Sequence, residues 1–242
     1  MGLFDFFGGS PAQKAQKLKP RVTQKYGDAT TRQKAIADLA DLESADTVPV
    51  LMLRFTLSVD PQSTDVSEKE EVFNIITGLK EAAVPHVVDF LKKNDSASSW
   101  AVKILDAVLP ADKVVETVVD ELKRLGAEYT RDPEKKEVLI YWLSERKDER
   151  IGPVVTMFLA DMSDEVKIAA AKAIAALKYE PARAALIDLL AAEETAKRVQ
   201  TACVQTLHDA ELTVKGERER VEKRIVEPFY LDKSGAVKKR TS

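Results

Sequence analysis

The chain is predicted to be all-α, a right-handed α-solenoid of about six helical hairpins, and three observations lead there. Ala, Leu and Val supply most of its 45% hydrophobic residues while aromatic residues make up 6%. A core of small and medium aliphatic side chains suits closely packed helices. A helix–turn–helix pattern recurs along the chain, which is how a repeat architecture announces itself. Within each copy apolar residues fall at i, i+3, i+4 and i+7 on both helices, more than one hairpin can bury, so neighbours must stack.

Residues 1–29 read as an N-terminal aromatic segment and a basic capping helix, 30–226 as the solenoid, and 227–242 as a basic C-terminal tail or small hairpin. The first hairpin runs from Ala35-Ile36-Ala37-Asp38-Leu39-Ala40-Asp41-Leu42 through Glu43-Ser44-Ala45-Asp46 into Val48-Pro49-Val50-Leu51. Proline in the first turn of the second helix costs nothing there, because its missing N–H would have no intrahelical partner. The pattern returns at 170–177, Tyr179-Glu180-Pro181 and 185–190, with Leu177 and Leu186 spaced as Leu42 and Leu51 are. Weaker copies pair 72–79 with 84–87, 101–108 with 114–125, 138–143 with 151–154, and 201–207 with 218–225. Polar stretches at 60–65 and 95–99, and Arg131-Asp132-Pro133, punctuate the repeats and are too short to be independent linkers. Glu227-Pro228 ends the last helix, and the segment beyond it is either a hairpin or a tail.

The alanine-rich first helix, short turn and Val-Pro-x-Leu second helix resemble the HEAT-repeat family, including its bacterial members named for phycobilisome lyases. The resemblance spans about residues 30–225, is good in the first and fifth units, and specifies architecture only, since such folds host scaffolds, lyases and glycosylases. It implies a bacterial source and second helices that line a concave face.

A net charge of −3 argues against a protein built mainly to neutralise phosphates, so no nucleic-acid partner is expected. The one cysteine, Cys203, excludes an intramolecular disulfide and suits a reducing compartment; with no run of roughly 18 apolar residues and no signal-peptide pattern in residues 1–9, the expected location is the cytoplasm. His86 and His208 are the only histidines, no spacing assembles a metal site, and no phosphate loop or nucleophile elbow is present. No cofactor, metal or small-molecule substrate is expected.

Two features are candidate sites. Val88-Asp89-Phe90-Leu91, Val119-Asp120-Glu121-Leu122 and Ile187-Asp188-Leu189-Leu190 place an acid at one register of three second helices. With Arg54, His86, Lys93, Glu116, Arg124 and Arg183 beside them, Asp89, Asp120 and Asp188 would make a ladder on the implied concave face that accepts a basic peptide or helix of a partner protein. The blander explanation is a polar register that keeps this face soluble. The second feature is Leu3, Phe4, Phe6 and Phe7, which either cap the apolar edge of the first hairpin or, with Lys14, Lys17 and Lys19, make weak peripheral contact with an anionic membrane or a partner. Phe6 occupies the position where an N-myristoylation signal wants Ser or Thr.

The resulting expectation is a non-catalytic protein-binding scaffold or adaptor. The alternatives, a HEAT-like DNA glycosylase for alkylated bases and a lyase or maturation factor of the bilin-lyase type, are implied by the resemblance alone.

Overall fold

The computed structural model describes residues 9–240. It is all-α apart from one small terminal sheet, as the sequence predicts. Two compact units divide at Val114 and Val115.

In the first unit, α1 (Pro11–Val22) begins at a capping box: Ser10 Oγ accepts from the Gln13 N–H and the Gln13 side chain accepts from the Ser10 N–H, with Pro11 at the first helical position. Next come α2 (Ala29–Ala40), capped by Asp28, the short α3 (Val48–Leu51), continued as a 3₁₀ turn over Met52–Thr56, α4 (Gln62–Gly78), α5 (Val84–Lys93) and α6 (Ser98–Val108). First helices stack on first helices, α2 on α4 and α4 on α6, while α3 packs on α5. The edge of the first hairpin is covered by α1, which packs on α2 and α3 and buries Ala15 and Val22 completely.

The boundary between units falls within α7 (Ala111–Leu125). The second unit continues through α8 (Glu134–Ser144), α9 (Ile151–Met157), α10 (Asp164–Leu177), α11 (Arg183–Ala191), α12 (Lys197–Asp209) and the four-residue α13 (Arg218–Val221). Here α8, α10 and α12 form the stack of first helices. Ala170, Ala171 and Ala173 of α10 are buried, and these small side chains let α12 come close enough for the Thr206 hydroxyl to donate to the Ala171 carbonyl at 2.9 Å. Two strands, β1 (Phe229–Leu231) and β2 (Val237–Lys239), pair antiparallel, with Leu231 opposite Val237, and β2 packs on α12. Residues 229–239 thus form a small antiparallel hairpin.

The repeat shows in the backbone itself. First helices end on residues with left-handed conformation at Glu43, Lys80, Lys178 and Glu211, none of them glycine. Each costs of order 1 kcal/mol, which the stacking of the following helix must offset. Lys178 and Glu211, at equivalent turns 33 residues apart, are ion-paired at 2.7 Å. Other contacts between successive first helices keep nearly the same separation: Arg32 to Glu68 spans 36 residues, Lys103 to Glu70 spans 33, and Arg198 to Asp164 spans 34.

Candidate partner-binding face

Asp89, Asp120 and Asp188 lie on α5, α7 and α11, and their neighbours differ from helix to helix. On α5 the apolar face buries Val87, Phe90 and Leu91, which turns Asp89 to solvent. Asp89 pairs with Lys93 at 2.9 Å one turn on, both side chains more than half exposed, and His86 lies part-exposed one turn before it. Such an exposed i,i+4 pair contributes little to stability and leaves the carboxylate available. On α7, Val115, Val118, Val119 and Leu122 face inward while Glu116 and Asp120 face outward.

At α11 the equivalent face is occupied by the chain itself. The Arg183 guanidinium donates to the main-chain carbonyls of Thr213 and, at 2.7 Å, of Lys215. One turn further along, Asp188 pairs with Arg220 at 2.8 Å. Residues 213–220 therefore lie along the second helix of the fifth hairpin, held through their backbone and through one basic side chain.

Arg54 is not part of any such face. It is fully buried, and its guanidinium is committed to Glu68 Oε2 at 2.8 Å, Asp65 Oδ1 at 2.7 Å and the Leu57 carbonyl at 3.2 Å. The reason is the 3₁₀ tightening at Met52–Thr56, which places residue 54 on the side facing α4. Arg124 is half exposed and gives two hydrogen bonds of 2.7 Å to Glu121. Leu3, Phe4, Phe6 and Phe7 lie outside the described residues.

Sequence reasoning missed the buried ionic groups of both units. In the first unit Glu68, 1% exposed, accepts from Arg32 of α2 and from Arg54. Arg54 also holds Asp65, which in turn takes Lys69 at 2.7 Å. Burial would raise the Glu68 carboxyl, but the hydrogen bonds and charges of Arg32 and Arg54 outweigh it and hold the group below the usual carboxylate range. In the second unit Glu121, 2% exposed, takes Lys135 at 2.8 Å, and Lys136 pairs with buried Asp161 at 2.7 Å. Neither composition nor motif separates these charges from solvated ones. The hint is positional: Glu68 and Lys135 fall on the same helical faces as buried Val72 and Leu139, four residues on.

Chemistry-bearing groups are otherwise tied into packing. Burial pushes the Cys203 thiol up to about 12, which leaves it unreactive. His208 Nδ1 lies 2.9 Å from Asp209 and its ring meets Phe229 edge-on. Among the described residues no three His, Cys, Asp or Glu side chains converge so as to hold a metal ion, and no helix is long and apolar enough to cross a membrane. Concavities are open grooves between neighbouring helices, such as one of about 460 Å³ between α8 and α10 lined by Tyr141, Ile168, Ala169 and Ala173.

No protein-family model matches the chain, and no curated protein matches it. Among solved structures it is similar to human deoxyhypusine hydroxylase in complex with glycerol, at 15% identity and a TM-score of 0.35, over 83% of this chain and 86% of that one. Likeness of that degree transfers neither activity nor ligand.

Proposed function

We propose that the chain is a non-catalytic HEAT-type scaffold that binds a protein partner through the second-helix faces of its hairpins, the partner presenting a basic extended or helical segment. The observation that carries this reading is the seating of residues 213–220 on α11. At that helix the register supplies an arginine for main-chain carbonyls and an acid for an arginine side chain, which are the two elements of peptide recognition by a polar helix face. Asp89 on α5 and Asp120 on α7 stand at the position of Asp188 and are exposed. A lysine or arginine of a partner would meet at each of them what Arg220 meets at Asp188.

The test is affinity capture from the native cytosol with the wild-type chain and with an Asp89→Lys, Asp120→Lys variant side by side. Proteins captured by the first and lost from the second support the reading, and their segments in contact should be basic. Identical captures from both chains count against the face. The glycosylase alternative has its own discriminant, a shift of duplex DNA at low salt, and the mixed charge of these faces leads us to expect none.

A further inference from the structure

The seams between neighbouring first helices differ in the two units. In the first, Lys103 of α6 reaches across to α4, its ammonium 4.4 Å from the Trp100 ring centre and 4.6 Å from that of Phe73, and pairs with Glu70 at 3.0 Å. The chain's own side chains thus bridge that seam. In the second unit α10 presents alanines to the seam it shares with α8, and a groove of about 460 Å³ stays open there. Tyr141 of α8 and Ile168, Ala169 and Ala173 of α10 give it apolar walls, and Glu137 and Glu165 line it as well. Their spacing makes this one surface: Glu137 and Tyr141 fall at i and i+4 on α8, and Glu165, Ile168, Ala169 and Ala173 at i, i+3, i+4 and i+8 on α10. Tyr141 is 66% exposed, so the groove carries a large ring that the fold leaves in water.

The acids of the groove are not equally served. Glu165 is taken by Arg198, whereas no cation among the described residues pairs with Glu137. Burial, and then the charges of Glu165, Glu134 and Asp132, push the Glu137 carboxyl above its ordinary range, so its ionised form is held at a cost to stability near neutral pH. The cation that lines the groove, Lys172, stands two turns along α10 from Glu165. We propose that the α8–α10 groove docks an amphipathic helix of a protein partner, an aliphatic side chain lodging against Tyr141, Ile168 and Ala169 and a lysine or arginine about one turn away pairing with Glu137. A helix enters a groove between two others through apolar anchors three or four residues apart, and the guest's cation supplies the charge that the fold omits. The same acids would repel an anionic bilayer. This surface is made by first helices and is separate from the faces of α5 and α7.

The experiment titrates the full chain into two dye-labelled amphipathic helical peptides, one of leucine and lysine and one of leucine and glutamate, and reads fluorescence anisotropy. The lysine peptide is expected to bind and the glutamate peptide not to. Glu137→Gln keeps the shape of the groove and removes its charge, so it should weaken binding roughly tenfold. Tyr141→Ala takes away an apolar wall and should weaken it by roughly the same factor. Both variants should stay folded, since Tyr141 is largely exposed and Glu137→Gln removes a charge that costs stability; the latter should melt no lower than the wild-type chain. Equal binding of the two peptides, binding of neither, or an unaffected affinity in either variant overturns the proposal. So does a lower melting temperature for Glu137→Gln, because the carboxylate would then serve the fold. Binding lost in Asp89→Lys, Asp120→Lys and kept in Glu137→Gln overturns it too, and assigns the peptide to the second-helix faces.

Discussion

At Glu68 one buried carboxylate faces two buried guanidiniums, and the arithmetic of desolvation decides what each residue is worth. An ion pair in the interior adds little over an apolar replacement of similar shape, yet removing one partner leaves the other charged and uncompensated, at a cost of roughly 3–5 kcal/mol. Glu68→Gln should destabilise the first unit by about that amount. Trp100, stacked on Phe55 with ring centres 4.6 Å apart, reports on this unit, so urea unfolding followed by its fluorescence in a Trp142→Phe background measures the loss. The pH dependence has a fixed sign. The folded Glu68 carboxyl titrates below its unfolded value near 4.5, so its stabilisation is complete above that pH and disappears as pH falls through the lower, folded value. The Glu68→Gln variant should lack this component of acid unfolding.

Individual elements show how far a single sequence reaches. The six helix pairs were legible because proline in the first turn of α3 and α5, the polar turns and the 3.6-residue spacing of apolar side chains all act locally. The buried clusters were not, since whether Glu68 or Lys136 meets water depends on a partner more than twenty residues away, Arg32 for the one and Asp161 for the other. The cover on α11 was hidden for the same reason: Arg183 and Asp188 meet partners 30 and 32 residues downstream. Arg183→Ala removes both hydrogen bonds to the 213–215 backbone. It should expose the segment to trypsin at Lys215, Arg218 and Arg220, raising cleavage there several-fold; an unchanged digestion pattern would mean that packing of α13 alone holds the segment. Gly152 in α9 is a second local case. A Cβ at this buried position would overlap the Tyr179 ring, so Gly152→Ala should destabilise the second unit by about 1–3 kcal/mol, read from Trp142 fluorescence.

Across the chain, contacts that repeat at separations of 33 to 36 residues build the two units. The charges that hold the units together are not those of the proposed face: Glu68, Glu121 and Asp161 are buried and paired within their units, while Asp89 and Asp120 stand exposed on second helices. Replacing the latter should leave unfolding nearly unchanged, since surface substitutions away from packing shift stability by no more than about 0.5 kcal/mol. The most direct test of a partner-binding scaffold titrates a partner captured by the wild-type chain against that chain and against Asp89→Lys, Asp120→Lys. The account predicts at least tenfold weaker binding for the variant, with a shallower salt dependence and an unaltered melting curve. Equal affinity for both chains would contradict it.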